Sequence, residues 1–245
     1  MAAKKASEGP EAGGFRGFGS QALPFLAALR ANNDRDWFAA NKGIFLEELD
    51  GPFRELVAEV AGLLAASGSP LGPVARNPVY RIYRDVRFSK DKSPYKTNLG
   101  AGFHRGGDKK SPGLVYVHVE PAGSFVAAGF YMPEPPLLKA IRQAIAADPA
   151  PFLGLLGPLE ARGIALAPGD PLARMPKGFE DQAGSPVAAM LRSRSFIVAR
   201  PIADDDLERR DLAGTLAEFA RDVTPFLDFF WARIDRDGAT SQETR

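Results

Sequence analysis

The chain has 245 residues, of which 45% are apolar, and a formal net charge of +1. Its length allows a large hydrophobic core, and its balanced charge argues against broad electrostatic attraction to nucleic acid. Because cysteine is absent, disulfides, thiol chemistry and cysteine metal sites are excluded. No apolar run approaches the roughly 18 residues that a membrane span needs, so we expect a cytoplasmic protein that does not enter a membrane.

One compact domain is predicted over residues 15–236. Residues 1–14 contain Glu8 and Glu11 and no hydrophobic stretch, so we expect a mobile N-terminal tail and no signal peptide. The polar residues 237–245 are predicted to form a second mobile tail. No hydrophilic linker interrupts the middle of the chain, which favours a single domain.

The first third of the chain has helical patterns. A first helix is predicted over Ser20–Ala31, and Asp34 is placed to cap a second helix that contains Trp37 and Phe38. Asp50, before Gly51-Pro52, is expected to cap a third helix. The third helix has apolar residues at helical spacing, namely Phe53, Leu56, Val57, Val60, Leu63 and Leu64.

The middle of the chain changes to the two-residue period of strands. Four strands are predicted, at residues 79–88, 99–104, 114–120 and 125–131. In the third of these, Val115, Val117 and Val119 share one face, while Tyr116, His118 and Glu120 share the other. This alternation is typical of an antiparallel meander with one covered face.

Helical patterns resume after the strands. Pro135-Pro136 opens a helix, residues 155–181 are expected to be irregular, and Ser195–Arg200 is predicted to be a further strand. Thr224-Pro225 is expected to start the last helix. This order predicts an α+β fold, in which helices at both ends pack on a central, mainly antiparallel sheet.

The positive charge is concentrated in one part of the chain. Residues 76–110 contain ten Lys or Arg and three acids, which creates a local positive potential. Arg84 alternates with Ile82, Val86 and Phe88 on what the pattern indicates is a covered face. A guanidinium there requires either a carboxylate or a bound anion, and the sequence leaves both open.

A ligand site is therefore predicted on the basic motif, residues 81–96. The turn at Ser93-Pro94 offers hydroxyl and backbone donors beside lysines, and the aromatic residues among the cations could stack on a ligand or belong to the core. Helix residues Asn41 and Lys42 are placed at the rim of the site. The candidate ligand-binding residues are Asn41, Lys42, Arg81, Tyr83, Arg84, Arg87, Lys92, Ser93, Tyr95 and Lys96.

Recognised cofactor and catalytic motifs are missing from the sequence. It contains no Walker-type loop, no dinucleotide fingerprint and no Gly-x-Ser-x-Gly elbow. Its only histidines are His104 and His118, so we expect no metal site and no cofactor. His118, beside Tyr116, could act as a general acid or base, although a lone histidine in a strand is more often structural. Whether the protein is an enzyme stays open.

Several motifs together resemble one known family. They are Asn32-Asn33-x-Arg35-x-Trp37-Phe38, Asn41-Lys42, the basic motif from Arg81 to Lys96, Gly129-x-Tyr131, Ile141-Arg142, Pro176-x-Gly178-Phe179 and Ser195-Phe196. Over roughly residues 16–235, the chain resembles the family called domain of unknown function 2461. The family pattern has lysine where this chain has Arg194, which keeps the charge but changes the donor geometry. The resemblance implies one α+β domain and supplies no activity.

Two functions are consistent with these patterns. The first is a pocket on the basic motif for a small anionic ligand with a phosphate or carboxylate group, with or without catalysis. The alternative is a non-enzymatic interaction module that presents a basic surface to nucleic acid or to an acidic protein, with nucleic acid the less favoured partner. If the cations are instead neutralised by internal ion pairs, their role is structural. The sequence specifies neither the ligand nor the oligomeric state.

Overall fold

The structure is a computed structural model that describes residues 14–75, 77–167 and 169–243, with side-chain surroundings as far as Arg236. Of the predicted N-terminal tail, residues 1–13 lie outside the described residues. The α-helices are α1 (Ala22–Ala31), α2 (Arg35–Ile44), α3 (Gly51–Ala66), α4 (Pro135–Ala147), α5 (Pro149–Glu160), α6 (Ala188–Arg192) and α7 (Leu212–Glu243). The strands are β1 (Leu71–Pro73), β2 (Leu99–Arg105), β3 (Leu114–Val119), β4 (Phe125–Phe130), β5 (Ala165–Leu166) and β6 (Phe196–Pro201).

The predicted fold class is confirmed: helices at both ends of the chain pack on a central antiparallel sheet. The strand order is β1-β2-β3-β4-β6-β5, and every pair of neighbours is antiparallel. The strands predicted near residues 99–104, 114–120, 125–131 and 195–200 are all present, with ends that shift by a residue or so. The short strands β1 and β5 were not predicted, because two or three residues are too few for a two-residue period to be recognised.

The two faces of the sheet differ in what covers them. On the helix face, Val117 lies opposite Ala101 and Val126 in the register, and Phe130 packs on Phe230 of α7 with ring centroids 5.3 Å apart. On the open face, the cross-strand neighbours of Tyr116 are small residues, Gly102 and Ala127. The hydrophobic core therefore lies between the sheet and the helices, and among the described residues no helix contributes to the lining of the hollow on the open face.

The capping prediction holds for α2 and fails for α3. The Asp34 carboxylate accepts hydrogen bonds from the backbone N–H groups of Asp36 and Trp37, which is the geometry of an N-cap. Asp50 makes no such bond, because a π-helical turn over Phe45–Asp50 joins α2 to α3 without a break. The Asp50 carboxylate instead accepts hydrogen bonds from Arg54, one turn further on, at 2.7 and 3.1 Å.

The predicted start of the last helix is wrong. Helix α7 begins at Leu212 and continues through Pro225, so proline lies in its interior. The Thr224 hydroxyl donates to the Ala220 carbonyl at 2.7 Å, and burial of Val223, Phe226 and other residues on this helix outweighs the cost of the proline. The helix also continues past Asp237, where the polar C-terminal tail is predicted to begin.

The region predicted to be irregular, residues 155–181, is partly regular. Its first residues complete α5, and β5 follows at Ala165–Leu166. Pro149 lies at the first position of α5, where proline is well tolerated, and a second proline, Pro158, lies inside the helix. The Gly and Pro content of this region therefore indicated irregular structure where part of the chain is helix or strand.

The strand predicted at residues 79–88 is wrong. Only two isolated bridges occur there, Val79 with Ala101 and Tyr83 with Tyr95. The Arg84 amide donates to the Pro94 carbonyl at 2.9 Å, and the Lys96 amide donates to the Ile82 carbonyl at 2.7 Å. Proline has no N–H with which to extend this pairing, so the chain leaves the ladder near Asp85. Phe88, predicted to lie on a covered face, is 96% exposed.

Candidate functional site

The basic motif is fixed to the N-terminal helices through Tyr95. The Asn33 side chain, between α1 and α2, donates to the Tyr95 carbonyl and accepts from the Tyr95 amide, both at 3.0 Å. The Tyr95 ring is buried and stacks on Phe38 of α2, with centroids 4.1 Å apart. Tyr95 thus anchors the segment, and its ring belongs to the core.

Two of the predicted arginines are paired with carboxylates of the same segment. Arg84 forms an ion pair with Asp91, and the Asp91 carboxylate also accepts hydrogen bonds from the amide and hydroxyl of Ser93 at 2.9 and 2.6 Å. The Ser93 hydrogen bonds, and then Arg84, lower the pKa of Asp91. Arg87 holds Asp85 in a bidentate pair with distances of 3.0 and 2.7 Å, which lowers the pKa of Asp85.

Only some of the predicted site residues share one hollow. We call it the basic hollow; it has a volume of about 320 Å³ and is lined by Arg30, Asn33, Arg84, Asp91, Ser93, Tyr95, Lys96, Thr97 and Asn98. Lys42, Arg81 and Tyr83 border a separate hollow of about 220 Å³. Arg87 and Lys92 line neither of these hollows. They lie with Phe88 on the exposed tip of the basic motif, where Lys92 donates to the Val86 carbonyl at 2.9 Å. Asn41 donates to the Trp37 carbonyl of its own helix at 2.8 Å.

Lys96 is the cation of the basic hollow whose charge is least compensated. Burial, followed by repulsion from Arg81, lowers the pKa of its ammonium group. Among the described residues no carboxylate forms an ion pair with it, whereas Arg84 is paired with Asp91 and Arg30 with Glu120. A bound anion would therefore stabilise the charged form of Lys96.

A hydrogen-bonded chain on the open face of the sheet begins beside the basic hollow. Nδ1 of His118 lies 3.0 Å from the Tyr116 hydroxyl and 3.4 Å from Nδ2 of Asn98, while Nε2 lies 3.5 Å from Glu120. Because the Asn98 amide group is a donor, Nδ1 is the acceptor nitrogen and Nε2 carries the proton. Arg30 completes the chain by donating to Glu120 at 3.2 Å.

Burial sets the protonation states along this chain. It raises the pKa of Tyr116 to about 12. Burial also lowers the pKa of His118, although Glu120 opposes that shift. At neutral pH, Tyr116 is therefore a hydrogen-bond donor and His118 is neutral. The sequence pointed to His118 beside Tyr116, but not to Arg30 or Asn98, which approach from distant parts of the chain.

Two glycines of β2 leave room for the rings of Tyr80 and Tyr116. A Cβ atom on Gly100 would lie 2.5 Å from the Tyr116 hydroxyl, and one on Gly102 would lie 2.7 Å from the Tyr80 hydroxyl. The Tyr80 and Tyr116 rings stack with centroids 5.9 Å apart. Lys96 lies over the outer ring, 5.8 Å from the Tyr80 centroid. The glycines thus allow both rings to lie across the strand, next to the basic hollow.

The buried histidines predict a loss of stability in mild acid. Burial lowers the pKa of His104, with Lys109 adding to the shift and Asp108 opposing it, and burial likewise lowers the pKa of His118. Above about pH 6.5 both histidines are neutral in both states. Below it, the unfolded chain binds protons that the folded protein resists. As the pH is lowered below this value, the free energy of unfolding should therefore decrease by up to about 1.4 kcal/mol per pH unit for each histidine.

Urea denaturation between pH 7.5 and 5.5 measures this dependence. His104 is 5% exposed, and neither ring nitrogen has a hydrogen-bond partner among the described residues. The variant His104→Leu should therefore show a smaller slope than the wild type, with His118 as the remaining contributor. An unchanged slope would contradict the assignment of His104.

In the part of the chain that the structure describes, no group of three or more His, Asp or Glu side chains is arranged to hold a metal ion. None of the helices in those residues combines the length and the hydropathy that crossing a membrane demands.

The fold and the site define an α+β protein with a basic hollow beside the open face of its sheet. The chain belongs to the family of conserved hypothetical proteins DUF2461, whose sequence model matches residues 21–229. Neither the curated proteins nor the solved structures contain a significant match to this chain. The family resemblance inferred from the motifs is confirmed over most of the chain.

Proposed function

We propose that the protein binds a small anionic ligand, with a phosphate or carboxylate group, in the basic hollow. The observation that carries this proposal is the uncompensated charge of Lys96, which lines the hollow together with Arg30 and Arg84. In the described part of the chain, Asp91 is the one carboxylate that lines the hollow, and it already binds Arg84 and Ser93.

A neutral donor next to Lys96 supports the same ligand class. Thr97 lines the hollow and has a hydroxyl group, whereas the Asn98 amide nitrogen already lies 3.3 Å from the Leu99 carbonyl and 3.4 Å from Nδ1 of His118. Hydrogen bonds from charged donors to an anion contribute about 1.5–3 kcal/mol each. The volume of about 320 Å³ suits a single anionic group with a small substituent and lies at the lower end of ligand pockets.

Calorimetric titration with inorganic phosphate tests the proposal. Lys96→Met should weaken binding by about tenfold or more, because it removes one charge-assisted hydrogen bond. Arg87→Met is the matched control, since Arg87 belongs to the same motif but is paired with Asp85 outside the hollow. We expect this variant to bind phosphate as the wild type does. Equal affinities of the wild type and Lys96→Met would contradict the proposal.

An interaction surface is the second candidate, and the exposed tip of the motif is the observation that favours it. The Phe88 ring is 96% exposed, and the Arg87 guanidinium lies 5.8 Å from its centroid. Aromatic rings among cations can stack on the bases of single-stranded nucleic acid. For that function the two variants should have the opposite effects. Arg87→Met should weaken oligonucleotide binding at about 50 mM salt, and Lys96→Met should leave it unchanged.

A further inference from the structure

A second hollow lies on the open face of the sheet. We call it the sheet groove; its volume is about 490 Å³, and its lining is Tyr80, Leu114, Tyr116, Phe125, Ala127, Ala128, Gly129, Tyr131, Ala167, Ile197 and Ala199. Among the described residues, none with a charged side chain contributes to this lining. An apolar group of a ligand can therefore bind in the groove without leaving a buried charge unpaired.

The groove exists because small side chains lie between larger aromatic ones on this face. Between the aromatic residues, β4 and β6 present small residues on the open face, where Ala127 pairs with Ala199. On the helix face of the same strands, Phe130 pairs with Phe196. A sheet that only needed one covered face would tolerate polar or large residues on the other face. Here the open face combines small residues at the centre with exposed aromatic residues such as Tyr131, which is 77% exposed.

The groove and the basic hollow have no lining residue in common, but residues that line one lie close to residues that line the other. Tyr80 lines the groove, and Lys96, which lines the hollow, lies over the Tyr80 ring at 5.8 Å. Tyr116 lines the groove and is hydrogen bonded to His118, which Asn98 of the hollow also approaches at 3.4 Å. The ammonium group of Lys96 is therefore one aromatic ring away from the apolar cleft.

We infer that the sheet groove receives the apolar part of the ligand whose anionic group binds in the basic hollow. The ligand class is then a small amphiphilic anion, namely a phosphate or carboxylate attached to an alkyl or aromatic body. This inference rests on the proposed function. Charge complementarity supports it, because the Lys96 ammonium group lies 5.8 Å from the centroid of the Tyr80 ring, which lines the groove. The Tyr116 hydroxyl donates its proton to Nδ1 of His118, so its oxygen can accept a hydrogen bond from the ligand.

A series of alkyl phosphates tests the inference by calorimetric titration of the wild type. The probes are inorganic phosphate, n-butyl phosphate and n-octyl phosphate, each below its micellar concentration. Affinity should rise about fourfold for each methylene that enters the groove. It should stop rising once the groove is full. An affinity that is independent of chain length would overturn the groove inference and leave the anion site of the proposed function intact.

The variant Ala199→Leu locates the alkyl chain. Ala199 is partly exposed on β6 and lines the groove, so the larger side chain should fill the cleft and abolish the dependence on chain length. Its affinity for inorganic phosphate should equal that of the wild type, which also verifies that the variant is folded. A chain-length dependence that persists in this variant would place the alkyl chain elsewhere and overturn the inference.

Two further measurements distinguish this inference from the proposed function. If Lys96→Met weakens all three phosphates by the same factor, the anion and the alkyl chain bind in adjoining sites as inferred. If n-octyl glucoside, a neutral probe, binds as tightly as n-octyl phosphate, the groove takes neutral ligands and the inferred ligand class is wrong.

Light scattering tests whether a second copy of the chain occupies the groove. A dimer that the variant Ala199→Leu dissociates would overturn the inference.

Discussion

Replacing Phe230 by alanine is expected to lower the free energy of unfolding by about 3–5 kcal/mol. The Phe230 side chain is fully buried in α7. Its ring lies between 5.1 and 6.0 Å, centroid to centroid, from the five rings of Phe130, Phe152, Phe196, Phe226 and Phe229. These rings belong to α5, α7, β4 and β6, so the cavity left by the truncation borders four elements and cannot collapse by moving one of them.

Urea denaturation of the wild type and Phe230→Ala measures this loss. Phe88→Ala is the matched control, because it deletes the same atoms from a side chain that is 96% exposed. We expect the control to change the free energy of unfolding by less than about 0.5 kcal/mol. Similar losses in the two variants would contradict the position of Phe230 at the junction of helices and sheet.

The sheet could be predicted because β3 alternates between buried residues on one face and partly exposed residues on the other. Val115, Val117 and Val119 alternate with polar and aromatic residues, and a two-residue period leaves a single register in which all three valines meet the helices. The prediction at residues 79–88 used the same kind of alternation and failed. There the partner segment contains Pro94, and the alternation ends at Phe88, which points into solvent. A two-residue period therefore indicates a strand only where the partner can continue the ladder.

The candidate site could be predicted in part. The basic motif pointed to Arg84, Ser93, Tyr95 and Lys96, which do line one hollow. The sequence did not show that Asp91 would neutralise Arg84, because the two residues meet only through the fold of the loop between them. Which of several nearby carboxylates an arginine selects depends on that fold.

Residues from other elements could not be predicted for the site. Arg30 lies 90 residues before its partner Glu120, and no periodicity of α1 distinguishes it from any other exposed arginine. The one usable signal was that Tyr116, His118 and Glu120 alternate on the same face of β3. It suggested a polar cluster, but it did not indicate that Gly100 and Gly102 would make room for the two tyrosine rings.

Gly129 explains part of a motif that the sequence alone left without a physical reason. Gly129→Ala is expected to lower the free energy of unfolding by about 3–5 kcal/mol through strain and overpacking. The backbone of Gly129 has φ +139°, and a Cβ atom would lie 1.9 Å from the Phe196 carbonyl oxygen of β6. That neighbour is backbone and cannot rotate away. The β4–β6 pair, which joins the edge strand β5 to the rest of the sheet, would have to separate locally.

Thermal and urea denaturation of Gly129→Ala test this expectation, with Gly62→Ala as the matched control. Gly62 lies within α3, and no atom is within 4 Å of the position that its Cβ would occupy. The same added methyl group should there stabilise the protein by about 0.5–1 kcal/mol, because alanine loses less backbone entropy in a helix than glycine. If Gly129→Ala were as stable as the wild type, β4 and β6 would not approach each other as closely as the structure places them, and the floor of the sheet groove at Gly129 would have a different shape.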